Sequence, residues 1–180
     1  MSSEISAKPR GKLARMPRWW FVSALLLFPA VMPADDWGPV SFLIGKWTGE
    51  GSGQPGDGTG SFTLLPDLQG KVLVRKSFAE YPAANGRPAS RHDDLMIVYR
   101  AEGSGDLRAT YYDSEGHVIA YMVKAVEGGV AFVSDAAATQ TRYRLTYYAA
   151  GKDRARLKFE IAPPGKDFAQ YIDAGIRREP

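Results

Sequence analysis

Apolar and polar residues alternate along much of the chain after residue 35, and this alternation predicts β-strands. The clearest case is the segment 142–161, where tyrosine, leucine, phenylalanine and isoleucine alternate with arginine, lysine, threonine and glutamate. A strand with one buried and one solvated face requires this period of two. The same residues would scatter around a helix of 3.6 residues per turn, so a helix is disfavoured.

Turn-forming residues recur about every ten residues, which is the spacing of an all-β meander. The pattern predicts an all-β fold in which a short turn or single helical turn at 35–42 plugs one end of an antiparallel up-and-down barrel. Ten strands are predicted: 43–51, 59–65, 71–81, 92–100, 107–113, 117–126, 130–134, 142–148, 154–161 and 168–177.

The N-terminal segment has the order of a secretory signal peptide. Five basic residues precede an apolar run over Trp19–Met32, and Pro33-Ala34 follows it. The run is too short to span a bilayer, which needs about 20 apolar residues, so we expect no stable membrane anchor after cleavage. The sequence therefore predicts a signal peptide over residues 1–34, one domain over 35–180, and a secreted or periplasmic location.

Two details of this signal peptide stay open in the sequence. Cleavage after Ala34 is favoured, and cleavage after Ala30 is the alternative because Met32 is unusual three residues before a cut. Translation from Met1 and from Met16 would both leave a basic residue ahead of the apolar run.

Charge and cysteine content narrow the function classes. Five of the 23 basic residues but only one of the 20 acidic residues precede Asp35, so the predicted domain is close to neutral. A nucleic-acid-binding domain needs a basic face, so no nucleic-acid partner is expected. The chain has no cysteine. This excludes disulfides, thiolate metal sites and cysteine nucleophiles.

Gly45-Lys46-Trp47 opens the first predicted strand. A glycine there lets the chain bend sharply into a barrel, and the tryptophan can close the floor with one large side chain. We therefore assign Gly45 and Trp47 to the barrel floor.

Hairpin pairing places both histidines at one end of the barrel. If Tyr99 faces Ala109 and Ser114 faces His117, then His92, Tyr112 and His117 share one face and one end. Below them the same face carries an apolar wall for a ligand. Arg75 and Tyr143 are further candidate ligand-binding residues. Met96, Ile119 and Tyr121, together with Asp94, Val98, Arg108 and Thr110, complete the predicted face.

Other interpretations of this end remain. Residues 113–117 are also typical of an ordinary turn, and a slip of one residue in register would reverse the faces. Imidazole and carboxylate groups suit zinc or iron, but His92 and His117 lack a tight ligand spacing, so no metal site is predicted.

Four stretches carry a resemblance to known proteins: 42–51, 67–75, 92–96 and 159–166. They resemble an uncharacterised family of bacterial secreted proteins of lipocalin-like, or calycin-type, build, which implies a ligand-carrying barrel. The Gly-x-Trp-x-Gly-x-Gly run from Gly45 also resembles nitrobindins, which are barrels that bind haem through a histidine near the C-terminal end. No histidine follows His117 here, and Tyr171 is the one obvious iron ligand near that end, so no cofactor is predicted.

Three functions follow from these observations. The first is a binding protein for a small apolar or amphipathic molecule. The second is an enzyme on the same barrel, a hydrolase, isomerase or lyase with His92 or His117 as acid–base catalyst and Arg75 or Tyr112 stabilising an anion. The third is a fully packed barrel that acts as a protein-interaction module. The sequence favours the first and leaves the oligomeric state open.

Overall fold

A computed structural model describes residues 37–50, 58–84, 86 and 88–180. The predicted signal peptide lies outside these residues, and so does most of the first hairpin tip. Within them the chain forms ten strands, each end within two residues of the prediction: β1 (Gly45–Glu50), β2 (Thr59–Asp67), β3 (Val72–Tyr81), β4 (Ser90–Arg100), β5 (Leu107–Asp113), β6 (Val118–Val126), β7 (Gly129–Ser134), β8 (Arg142–Ala149), β9 (Arg154–Ala162) and β10 (Ala169–Arg178).

The strands close into an antiparallel up-and-down barrel, as predicted. Each strand pairs with its neighbours along the chain, and β1 pairs with β10 to complete the ring. Closure places Trp47 opposite Arg178. Because a closed barrel leaves no free strand edge, the backbone of every strand can be paired on both sides. Two short 3₁₀ helices, Gly38–Leu43 and Leu68–Gly70, are the only helices in the described residues, and neither is long enough to cross a membrane.

The interior is lined by alternate residues of each strand. One row of directly opposed residues runs from Leu64 through Arg75, Met96 and Tyr111 to Ile119 across five strands. Leu64, Arg75 and Met96 are almost completely buried. The burial shows that this face points into the barrel, so the register assigns every neighbouring side chain to the interior or to the outer surface.

The first 3₁₀ helix closes one end of the barrel. Its Val40 and Leu43 are buried with Trp37 in the same core as the strands. The indole of Trp47 donates a hydrogen bond to the carbonyl oxygen of Leu43 at 2.8 Å. Arg100, at one end of β4, lies over the Trp37 ring at 5.8 Å. The helix therefore lies at the opposite end of the barrel from His92, near the start of β4.

Gly45 is needed where the chain enters β1. Its φ is +134°, a conformation that other residues rarely adopt, and an added Cβ would lie 2.6 Å from a guanidinium nitrogen of Arg178. That guanidinium donates hydrogen bonds to the carbonyl oxygens of Phe42 and Ile44. Gly45 and Trp47 are thus both part of the closed end.

The predicted pairing of β5 was wrong by one residue against both neighbouring strands, β4 and β6. Met96 faces Tyr111 and not Tyr112, because β4 and β5 pair as far as Arg100 and Leu107. Tyr111, not Tyr112, also faces Ile119. Because both errors shift β5 by one residue, the alignment of β4 with β6 is unaffected, and the inward residues of those two strands were assigned correctly. On β5 the faces are reversed, so Arg108, Thr110 and Tyr112 point outward.

Candidate functional site

The end of the barrel opposite the first 3₁₀ helix, here called the mouth, carries a cluster of polar side chains. His92 and Asp94 enter it from the start of β4, and Asp113 enters it from the end of β5. Asp113 lies directly opposite Asp94 and on the same inward face. The turn between β5 and β6 adds Glu115 and His117. The hairpin geometry therefore brings two imidazoles and three carboxylates together.

His92 has a partner on each ring nitrogen. Its Nδ1 lies 2.7 Å from Glu115 Oε2, and its Nε2 lies 3.0 Å from the hydroxyl oxygen of Tyr111. Asp94 Oδ2 is 3.8 Å from the same Nε2. The ring is only partly buried, so it is held in one orientation while still reachable from solvent.

Asp113 organises the turn that carries Glu115 and His117. Its Oδ1 accepts hydrogen bonds from the backbone N–H groups of both residues, at 3.1 and 2.8 Å. Its Oδ2 lies 2.9 Å from His117 Nδ1. Burial disfavours the charged carboxylate, but the hydrogen bonds from His117 outweigh it and lower the pKa of Asp113. Asp113 is therefore ionised at neutral pH.

Below the mouth, Arg75 and Asp94 form a buried ion pair. Arg75 Nη1 donates to Asp94 Oδ1 at 2.6 Å, and Nη2 donates to Ser77 at 3.2 Å. Both side chains are more than nine-tenths buried. Burial disfavours the charged guanidinium, yet the combined effect of Asp94 and the tyrosines at 111, 121 and 147 outweighs it and raises the pKa of Arg75. The interior thus contains a neutralised but strongly polar centre.

Two buried polar atoms at this centre have no hydrogen-bond partner among the described residues: Arg75 Nε and the Tyr147 hydroxyl. Tyr147 is close enough to Arg75 for the guanidinium to favour its anion, although burial dominates and raises the pKa of Tyr147. Burial also raises the pKa of Tyr111 and of Tyr121. These tyrosines are neutral hydroxyl groups in the interior. An unpaired buried donor costs free energy unless water or a ligand satisfies it.

The inner wall near the mouth is apolar and incompletely buried. Tyr143 and Phe159 stack with parallel rings 6.2 Å apart, and Tyr171 meets Phe159 edge-on at 6.1 Å. Tyr111 of β5 and Ile119 of β6 complete this wall. Tyr111, Ile119, Tyr143 and Phe159 point inward yet keep some accessible surface. These side chains are therefore only partly covered, and solvent reaches the inner wall at this end of the barrel.

The structure separates the sequence-predicted site residues into four groups. Arg75, Met96 and Tyr121 are buried in the interior, while His92, Ile119 and Tyr143 face it nearer the mouth. His117 lies on the exposed rim. Tyr112 lies on the outer surface with 41% of its area exposed, away from the others.

Sequence reasoning missed four residues at this site: Tyr111, Asp113, Glu115 and Tyr147. Tyr111 and Asp113 would have been found with the correct β5 register. Tyr147 belongs to the alternating apolar face of β8, and only its unpartnered hydroxyl distinguishes it. Glu115 lies in a turn that is visibly polar in sequence, but a turn has no alternating pattern to show that this side chain points toward His92.

A hollow of about 530 Å³ opens at the rim beside the mouth. Its lining includes Thr59, Tyr81, Pro82 and Ser90. Ser90 directly precedes Arg91 and His92 at the start of β4, so this hollow lies next to the polar cluster. Burial raises the pKa of Tyr81 in its wall. It is open to solvent and lies at the edge of the barrel, not at its centre.

No family model matches the chain, and no curated protein matches it. The closed antiparallel barrel is consistent with a lipocalin-like, calycin-type fold. Function must therefore be argued from the site itself.

Proposed function

We propose that the chain is a secreted or periplasmic binding protein that holds a small amphipathic molecule inside its barrel. The observation that carries the proposal is the inner wall of Tyr111, Ile119, Tyr143 and Phe159, which faces inward and is only partly covered by other side chains. Barrels of this size have room for one small ligand, and ligand sites combine apolar walls with a few placed polar groups.

The polar groups favour an amphipathic ligand over a purely apolar one. At the mouth, His92 can hydrogen-bond a polar end of the molecule. Deeper in, Arg75 Nε can donate to an oxygen atom and the Tyr147 hydroxyl can donate or accept. Because Asp94 already neutralises Arg75, the deep centre suits an uncharged oxygen, such as a carbonyl or hydroxyl group, better than a carboxylate.

The resemblance to secreted lipocalin-like proteins supports the same conclusion. The N-terminal signal-like segment supports export. The Gly45-Lys46-Trp47 sequence at the start of β1 supports the resemblance to lipocalin-like barrels. We propose no haem, because no histidine follows His117 in the sequence. The chemical identity of the ligand has to come from experiment.

We expect Ile119→Trp to abolish capture of ligand, because Ile119 faces inward opposite Tyr111 and the larger ring would occupy the volume proposed for the ligand. Val118→Trp is the matched control, since Val118 is the neighbouring residue and is exposed on the outer surface. Each purified protein is incubated with a lipid extract and separated from it, and the retained compounds are identified by mass spectrometry. A compound kept by the wild type and by Val118→Trp, but lost from Ile119→Trp, is the expected result.

Two outcomes would contradict the proposal. Retention of the compound by Ile119→Trp would move binding out of the barrel interior. A wild-type protein that retains no compound would favour the packed barrel that acts as a protein-interaction module. Circular dichroism of both variants checks that the barrel remains folded.

An enzyme on the same barrel is the second candidate, and the environment of His92 favours it. Glu115 on Nδ1 and the Tyr111 hydroxyl on Nε2 form a chain from the rim to the inward-facing wall. A carboxylate that holds one imidazole nitrogen orients the other for proton transfer, as general acid–base catalysis requires.

Turnover separates the enzyme from the binding protein. If the barrel is catalytic, the retained compound is converted over time, and His92→Ala lowers the rate about 10² to 10⁴-fold while the compound still binds. For a binding protein we expect no conversion by either protein, followed by chromatography and mass spectrometry. Conversion at equal rates in the wild type and His92→Ala would exclude His92 as the catalytic base.

A further inference from the structure

The polar cluster at the mouth has the composition of a metal site. One ligand atom from each of His92, Asp113 and Glu115 lies within 4.8 Å of the other two. Imidazole nitrogen and carboxylate oxygen are the donors that zinc and manganese take in proteins. With metal bonds of about 2.1 Å in a tetrahedral site, two ligand atoms lie about 3.4 Å apart. His92 Nδ1 and Glu115 Oε2, now 2.7 Å apart, would therefore separate slightly, while more widely spaced ligand atoms would approach by on the order of 1 Å. Glu115 is half exposed in a turn and is free to make that adjustment.

The surrounding hydrogen bonds are those that metal ligands require. Metal-binding histidines usually donate their second N–H to an oxygen, which fixes the ring. Here His92 Nε2 meets the Tyr111 hydroxyl at 3.0 Å, so Nδ1 is left facing the carboxylates. Asp113 is held in turn by two backbone N–H groups and by the His117 ring. Two of the three donors are thus oriented by groups that would not bind the metal.

The local charge also fits a divalent cation. Asp94, the third carboxylate of the cluster, is neutralised by Arg75. Among the described residues, Asp113 pairs with the His117 ring and Glu115 with the His92 ring, and neither forms an ion pair with a lysine or arginine. Without such a permanent cation, the two carboxylates leave an excess of negative charge at the mouth. This excess attracts a cation, and the partly open position of His92 lets the cation enter.

We propose that His92, Asp113 and Glu115 bind one divalent transition-metal ion at the mouth of the barrel, with Zn²⁺ or Mn²⁺ as the fitting class. Three protein ligands leave at least one coordination position for water or for an oxygen atom of a bound molecule. Tyr111 and His117 act as positioning residues, through His92 and Asp113 respectively. The inference does not depend on a ligand in the barrel interior.

The test is isothermal titration of the purified full chain, freed of metal by a chelator, with ZnCl₂ and separately with MnCl₂. We expect one equivalent of at least one metal to bind. His92→Ala and Glu115→Gln should each weaken that binding by at least about tenfold, since even second-shell losses cost 10 to 100-fold. Glu127→Gln is the matched control, because Glu127 is an exposed glutamate in the β6–β7 turn at the opposite end.

Three results would overturn the proposal. One is the absence of stoichiometric binding of either metal to the wild type. A second is equal affinity in the wild type and His92→Ala. The third is a loss of binding in His117→Ala with none in His92→Ala, which would place the metal on Asp113 and the exposed His117. Asp113 also stabilises the turn, so circular dichroism must show that Asp113→Asn remains folded before its metal affinity is compared. His92→Ala and Glu115→Gln are therefore the variants that test the metal site.

Discussion

We expect Trp47→Ala to lower the free energy of unfolding by about 3 to 5 kcal/mol, as deletion of a large buried aromatic side chain does. Trp47 is 1% exposed and joins three parts of the closed end. Its ring stacks on Phe62 with centroids 6.3 Å apart, Arg178 lies 4.5 Å above it, and its N–H bonds to Leu43. The substitution would leave a cavity, free the Leu43 carbonyl and remove the surface on which Arg178 lies.

The measurement is chemical denaturation followed by circular dichroism, with Tyr112→Ala as the control. Tyr112 is also an aromatic residue on a strand, but it lies on the outer surface, so its truncation should change stability by no more than about 0.5 kcal/mol. Trp47→Phe should recover part of the loss, because it keeps a ring without the hydrogen bond. An unchanged midpoint for Trp47→Ala would show that the closed end does not depend on this side chain.

The strands could be predicted because alternation has a direct physical cause. In β8 and β9 the residues alternate between the interior and the outer surface, and the polarity of each side chain matches the face on which it lies. Strand count and antiparallel order follow from such segments and from the short turns between them. Helix content was equally predictable, since no segment after residue 35 has a helical period of useful length.

Register could not be predicted, because it depends on turn geometry that the strands do not encode. The loop between β4 and β5 closes with a hydrogen bond from Ala101 to Asp106 and with Gly103 and Gly105 at positive φ. The next turn is fixed by the side chain of Asp113. A choice of one residue more or fewer at each turn reverses a face, and this is why Tyr112 was selected in place of Tyr111.

The buried Arg75 and Asp94 pair lay beyond sequence reasoning for a different reason. Asp94 lies opposite Ser77, and Arg75 reaches it diagonally from two residues along β3. The contact needs the correct register and the correct side-chain direction together. A charged residue within an alternating strand also looks the same in sequence whether it faces the interior or the outer surface.

Breaking this pair should be costly. We expect Asp94→Ala to lower the free energy of unfolding by about 3 to 5 kcal/mol, because it leaves the Arg75 guanidinium buried without its carboxylate. Asp173→Ala is the control: Asp173 pairs with Arg156 through two hydrogen bonds, but Arg156 lies in solvent, so the denaturation midpoint should hardly change.

The double variant Arg75→Met/Asp94→Leu distinguishes a lost ion pair from a damaged core. Replacing both charges by apolar side chains of similar volume removes the cost of burying them, so stability should return to within about 1 to 2 kcal/mol of the wild type or exceed it. Denaturant titration of the wild type, Arg75→Met, Asp94→Leu and the double variant completes the cycle. Additive losses would mean that the two residues do not interact, contrary to the 2.6 Å contact. Recovery of stability together with loss of ligand capture in the double variant would show that the pair is maintained for binding, since a buried charge pair contributes little stability of its own.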